Sequence, residues 1–274
     1  MADARAKAPR TRRAPDEVRP AEVAAADDAD DVADWQRRVV DRSLRTATKR
    51  SIDRGASLIR AAATLLERSN GDGFTVQEVA NEAGQSLRTL YQYFESKDDL
   101  LLAVFEEAMK RYARMIRNSI AGLDDPLERL AGGVLAAAAM PAYSSQGVDV
   151  GLARLRLRLS EVDPALVARS HEPVTLVFLE LVHDAAEAGV IVDQDEQAAA
   201  YLLRSVNAAF IISQTLGNDQ GLDLPDPEGL ARFCLLGLGA ELAPGWYESI
   251  SARLLPPVSA EDDGWPSARS RTAR

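Results

Sequence analysis

The chain has a single cysteine, Cys234, so it can form no internal disulfide and no cysteine-based zinc site. Its setting, ARFCLLGLG, marks it as a small buried hydrophobe rather than a nucleophile. Histidine is nearly as scarce: His171 and His183 lack ligand partners at helical spacing. No glycine-rich phosphate loop follows a strand, and there is no nucleophile elbow. An enzyme, a metal site and a cofactor are therefore not expected. Aromatics make up only 5% of the 274 residues, while Ala, Leu and Val dominate the 46% hydrophobic fraction, a bias toward helices over sheets. No apolar run is long enough to cross a bilayer, and the N-terminal arginines precede no apolar core of a signal peptide. These absences predict a cytoplasmic protein with no membrane partner. A net charge of −10 argues against a nonspecific nucleic-acid binder, but leaves sequence-specific binding open because local charge decides it.

What is present is organised around residues 75–93, TVQEVANEAGQSLRTLYQY. Thr75 is a good N-cap and Glu78, three residues on, completes a capping box. Val76, Val79, Ala80 and Ala83 share one helical face, and Gly84 supplies a left-handed or close-packed stop. Ser86 caps a second helix in which Leu87, Leu90 and Tyr91 recur at three and four residues. Helices this short need a covering partner, which residues 52–69 offer, with Ile59, Ala62, Ala63 and Leu66 inward. This is the anatomy of a helix-turn-helix DNA-binding head, its second helix entering the major groove. Periodicity turns Leu90 inward and leaves Leu87, Arg88, Thr89 and Gln92 outer or flanking. Arg88 fits guanine, Gln92 fits adenine or the backbone, and Leu87 and Thr89 suit thymine methyls. Core packing is the plainer reading for Phe94, whereas Tyr91 can serve both roles.

The run at residues 59–102, IRAAATLLERSNGDGFTVQEVANEAGQSLRTLYQYFESKDDLL, resembles the N-terminal domain of the TetR family of transcriptional repressors, above all in TLYQYFESKDDLL. The resemblance implies an all-α fold: a three-helix helix-turn-helix domain, then a helical ligand-binding and dimerisation domain. It implies base or adjacent phosphate contacts from Leu87, Arg88, Thr89 and Tyr91, and backbone contacts from Thr75, Tyr93 and Lys97. One departure is Gln85, where the family has a small aliphatic plug after the turn glycine; either its amide reaches the surface or the turn is remodelled.

Residues 51–98 carry five basic against seven acidic side chains, a poor balance for a DNA-binding head. The preceding segment, residues 34–50, reads as an additional helix. From Trp35 to Arg50 it has six basic residues and one acidic, with Arg38, Arg42, Arg45 and Lys49 in a stripe opposite Val39, Val40 and Leu44. The stripe either contacts phosphates or is a solvated basic face. Residues 1–33 and 257–274 have the polar composition of flexible tails.

The remaining stretch, residues 99–256, divides at prolines and glycines into further helices. RLRLRL alternates like a strand but has no strand to pair with, so it too reads as helix. The family's architecture implies a homodimer built from residues 197–216 and 230–242, whose small residues (Ala198, Ala199, Ala200, Ala208, Ala209, Gly237, Gly239) permit close approach. It also implies a pocket beside the helix that follows the head. Candidate lining residues are Phe105, Met109, Tyr112, Met140, Tyr143, Phe178, Val182, His183 and Phe210, which suit an apolar or amphipathic small molecule. The expected function is a dimeric repressor released from a palindromic double-stranded operator by such an effector. The rival is a helix-turn-helix regulator with no small-molecule pocket, governed by a protein partner or acting as an activator.

Overall fold

A computed structural model describes residues 34–69, 73–140, 146–217 and 225–254, together with Trp265. The N-terminal tail, the C-terminal tail apart from Trp265, and Tyr143 lie outside the described residues, as does the side chain of Arg38. Every regular element described is a helix: α1 Asp34–Arg68, α2 Val76–Glu82, α3 Leu87–Tyr93, α4 Lys97–Ser119, α5 Pro126–Ala138, α6 Gln146–Val162, α7 Pro164–Ser170, α8 Glu172–Glu187, α9 Glu196–Leu216, α10 Pro227–Gly237 and α11 Trp246–Ser251. RLRLRL lies inside α6, as the lack of a pairing strand requires. No helix among the described residues is long and apolar enough to cross a membrane.

The chain divides into two units, Met1–Arg50 and Ser51–Arg274. In the first, the side chains of Val39, Val40 and Leu44 are exposed, as are those of Arg42, Arg45 and Lys49. The sequence pattern separates a basic helix ending at Arg50 from a head helix beginning near Asp53, but the structure has one helix through both. The reason is local. No proline occurs between Asp34 and Arg68, and the single glycine there, Gly55, lies within a run of good helix formers.

In the second unit the core begins with Leu58, Ala61, Ala62 and Leu66 of α1, Val79 and Ala80 of α2, Leu90 of α3, and Phe74 and Phe94 beside them. Of the inward row expected for α1, Ala62, Ala63 and Leu66 are buried, whereas Ile59 is half-buried and its neighbour Leu58 is fully buried in its place. The capping box at Thr75 forms as expected, and Gly84 takes a left-handed φ of 62° that closes the turn. Gln85 follows neither of the courses left open for it. Its Nε2 donates to the Arg54 carbonyl of α1 at 3.0 Å, so the amide ties the turn to the covering helix.

The larger bundle packs α4, α5, α8 and α9 around a second stretch of the same core, with α10 and α11 against α5. Two adjacent glycines set how tightly α5 is held. A Cβ on Gly133 would collide with Leu181 Cδ1 of α8, and one on Gly132 would lie 2.7 Å from Leu123 Cδ1. Cys234 is buried, and burial pushes its thiol up to about 11, so it stays protonated as the sequence suggests. Ala199 and Ala200 are also buried within the protomer, whereas Ala198, Ala209, Gly237 and Gly239 are exposed. Ala208 is half-buried and lines the cavity described below.

Leu90 is the fully buried hinge-pin of the short α3, so Leu90→Ala should lower the unfolding free energy by about 2–5 kcal/mol. Urea unfolding followed by circular dichroism measures this. A loss under about 1 kcal/mol would mean that α3 is held by something other than its apolar face.

Candidate DNA-reading surface and ligand cavity

The exposed face of α3 presents Arg88, Tyr91 and Gln92, flanked by the half-buried Leu87 and Thr89. Ser86 fixes its start by accepting the Thr89 amide at 3.0 Å, and the two hydroxyls lie 2.8 Å apart. Arg88 has no partner among the described residues, so its fork is available. The expected backbone contacts differ among themselves. Thr75 is engaged with Glu78, donating its hydroxyl to Oε2 at 2.8 Å while accepting the Glu78 amide. The Tyr93 hydroxyl accepts from Ser51 Oγ at 3.2 Å, and its ring lies 3.6 Å from where a Gly55 Cβ would stand. Lys97 donates to the Phe74 carbonyl and sits 4.9 Å over the Phe74 ring, so it anchors the first turn of α4 to the lead-in of α2.

A cavity of about 80 Å³ opens among α4, α5, α6, α8 and α9. Phe105, Met109, Ile116, Met140 and Phe178 make its walls apolar. Tyr112, Asp149, Arg156, His171, Arg204 and Asn207 interrupt them. The Tyr112 hydroxyl donates to Asp149 Oδ1 at 3.1 Å. His171 Nδ1 donates to the Val167 carbonyl at 2.7 Å, which leaves Nε2 as an acceptor, and the ring meets Phe105 edge-on at 5.2 Å. Burial pulls the His171 imidazole down to about 4; the Val167 hydrogen bond opposes this, and Arg156 and Arg204 add to it.

Residues 58–104 match the family described as bacterial regulatory proteins, tetR family. Over these residues the chain is similar to the tetR family. It is 34% identical over 95 residues to the HTH-type transcriptional regulator HbdR of Aromatoleum sp. (strain CIB), a match covering 35% of this chain and 42% of that protein, so it spans less than half of the relative. Likeness in fold to solved structures extends well beyond the head. The crystal structure of RolR with the ligand resorcinol is similar at a TM-score of 0.55 with 20% identity, covering 77% of this chain and all of that one. FadR from Bacillus subtilis in complex with stearoyl-CoA is similar at 0.52 with 20% identity, covering 68% and 98%.

Within the helical body, Phe105, Met109, Tyr112, Met140 and Phe178 line the cavity. Three candidates do not. Val182 is buried in the core, and Phe210 gives way to its neighbours Ala208, Ile211 and Ile212 on the cavity side of α9. His183 stands exposed, its Nδ1 3.1 Å from Glu196 and its Nε2 3.6 Å from Glu187. The hydrogen bond to the Glu196 carboxylate, with its charge and that of Glu187, raises the His183 pKa. The buried histidine of the cavity is instead His171. The sequence did carry a signal for the polar groups missed here: Arg204 and Asn207 lie one turn apart in the otherwise apolar YLLRSVNAAF.

The depressed His171 has a definite consequence for stability. Between about 4 and 6.5 the unfolded chain binds a proton that the folded chain refuses, so stability is full above that window and falls as pH drops through it. From pH 7 to pH 5 this one group should remove on the order of 2 kcal/mol. Thermal unfolding of wild type and His171→Leu at both pH values tests it. The variant should lose less stability on acidification, and equal losses would assign the drop to other groups.

Proposed function

We propose that the protein is a sequence-specific DNA-binding transcriptional regulator, a homodimeric repressor that leaves a palindromic operator when a small apolar or amphipathic ligand fills the cavity. The observation that carries the reading is the α3 face: Arg88 and Gln92 project from a capped helix locked inward by Leu90. Arg88 reads guanine O6 and N7, Gln92 an adenine or a phosphate, and Leu87, Thr89 and Tyr91 complete the groove surface. Thr75, Ser86, Tyr93 and Lys97 serve this surface by holding α2, α3 and α4 in register, and through their remaining hydrogen-bonding capacity toward phosphates. Arg42, Arg45 and Lys49 are exposed cations suited to phosphate contacts, with Arg38 in the same stripe.

Dimerisation is supported by large apolar side chains left exposed on the two helices expected to pair: Tyr201 and Leu202 on α9, Phe233 and Leu236 on α10. Ligand control is supported by the cavity itself, and by RolR and FadR, which share the fold and were solved with resorcinol and stearoyl-CoA. The coupling route is physical. Leu101 of α4 borders a cleft with Leu66 and Phe74, while Phe105, Met109 and Tyr112 of the same helix face the cavity. A second route runs through α6: a Cβ on Gly151 would lie 3.2 Å from Leu66 Cβ, and Leu152 and Arg156 line the cavity. A ligand that favours one placement of α4 and α6 shifts the population of head orientations.

The test is selection of bound DNA from random sequence at near-physiological salt, with Arg88→Ala alongside. The expected result is an enriched palindrome bound at least about tenfold more weakly by the variant, with relaxed specificity at one base per half-site. Absence of any enriched sequence would overturn the regulator reading; enrichment unchanged in the variant would remove Arg88 as a base reader. Replacing Arg42, Arg45 and Lys49 by Ala should flatten the salt dependence by about one unit of slope for each phosphate no longer neutralised, and an unchanged slope would make the stripe a solvated face.

A further inference from the structure

The cavity holds more polar chemistry than an apolar ligand needs. Arg156 of α6 and Arg204 of α9 are both half-buried, and burial lowers the pKa of each. Arg204 also weighs on Arg156, so the two guanidiniums feel one another. Neither has a carboxylate within ion-pairing distance among the described residues. Arg204 donates to Ser205 Oγ at 3.0 Å and lies 4.9 Å over the Tyr201 ring, contacts that position it without neutralising it. Among the described residues, Asp149 is the one carboxylate in the lining, and it receives the Tyr112 hydroxyl. Two cations against one anion leave the cavity electropositive inside a chain whose net charge is −10.

A second, independent observation concerns Asn207. It is 3% exposed, its Nδ2 donates to the Leu203 carbonyl at 3.0 Å, and its Oδ1 is buried with no partner among the described residues. An orphaned buried carbonyl is costly, and a half-buried guanidinium without a carboxylate is also penalised. A core shaped only for packing would have apolar side chains at these places. His171 Nε2 adds another acceptor in the same lining, so the cavity offers two cations for an anion and two acceptors for a donor.

We propose that the cavity is a receptor for a small organic acid, with its anionic group on Arg156 and Arg204, its hydroxyl or N–H donating to Asn207 Oδ1 or His171 Nε2, and its apolar body against Phe105, Met109 and Phe178. The proposal rests on the reading of the cavity as the effector site and narrows it from any apolar molecule to a monoanion with a donor. Bound in this way the acid neutralises the surplus charge and satisfies the Asn207 carbonyl together, which makes its binding energy sensitive to the spacing of α6 and α9. Since α6 also packs on Leu66 of the head, seating the anion acts on the helix that touches the DNA-reading unit.

The test uses a matched pair of fluorescent probes on the full chain: anilinonaphthalene sulfonate, an apolar anion with an N–H donor, and phenyl-naphthylamine, the same skeleton without the sulfonate. Wild type should bind the anion at least about tenfold more tightly than the neutral probe, as expected for one charge-assisted contact. Arg204→Met and Arg156→Met should erase that preference while leaving the neutral probe's affinity unchanged. Arg156→Met should melt at or above the wild-type temperature, because it removes a half-buried charge that no carboxylate neutralises among the described residues. Equal affinity for the two probes in wild type, or a preference surviving both substitutions, would overturn the organic-acid assignment while leaving the effector cavity standing. If neither probe binds, the effector-site reading falls and this proposal with it.

Discussion

The helix α4 must satisfy two environments with one rigid rod. Its 23 residues extend roughly 35 Å, and a continuous hydrogen-bonded helix cannot bend to please each end separately. At the first turn, Lys97 is fixed to the Phe74 carbonyl and Asp98 pairs with Arg158 of α6. Further along, Phe105 and Met109 close the cavity, and Arg117 grips Glu180 of α8 through two nitrogens. Much of what lies between is buried apolar surface, including Val104, Ala108 and Ile116. Close packing of this kind transmits displacement rather than absorbing it. The small α2–α3 pair depends on that rod, because two seven-residue helices have no stability of their own.

The electrostatics of the two functional regions run opposite to the charge of the whole. The chain is acidic, the head has more acids than bases, and the cations that matter stand at isolated positions: Arg88 on α3, the exposed stripe of Arg42, Arg45 and Lys49, and Arg156 and Arg204 inside the cavity. Overall negative charge weakens nonspecific attraction to DNA, so in the proposed reading discrimination would fall on the few exposed cations of α3 and the basic stripe. Most ion pairs elsewhere, such as Arg68 with Glu82 and Arg232 with Glu228, are exposed and contribute little to stability. They tie surface charges together. Arg88 and the cavity pair are left for other partners.

Much of the fold was legible in the sequence because local rules agree with one another there. The capping box at Thr75, the stop at Gly84, the cap at Ser86 and the prolines at the starts of α5, α7 and α10 all form where their residue types demand. The inward and outward faces of α3 follow from a single seven-residue period. What was not legible depended on which faces of distant helices converge. Phe210 and Ile211 are neighbours of equal apolarity, and only the rotation of α9 against α8 decides that Ile211 faces the cavity. The two histidines are alike in the sequence, yet His171 is buried at the junction of α7 and α8 while His183 stands among glutamates. The merging of the basic segment into α1 was missed for a different reason: with no proline to interrupt it, helix is the default, and a boundary placed on charge alone had no physical stop behind it.

The polar cavity bears on the relation between stability and function. Replacing Arg156, Arg204 and Asn207 by leucine or methionine would fill space, remove unpaired charge and abolish an orphaned carbonyl, all of which favour the folded state. That the chain instead holds these groups against apolar walls means that the folded protein without a ligand is less stable than its packing allows. The deficit is local to α6 and α9, and α6 is the helix that reaches Leu66 of the head. A compensating anion would therefore release strain where it can be passed on, whereas the same energy placed in α5 would be trapped by Gly132 and Gly133, at which Leu123 and Leu181 leave no room to move. A binding site that couples to the head thus has to be imperfectly satisfied when empty.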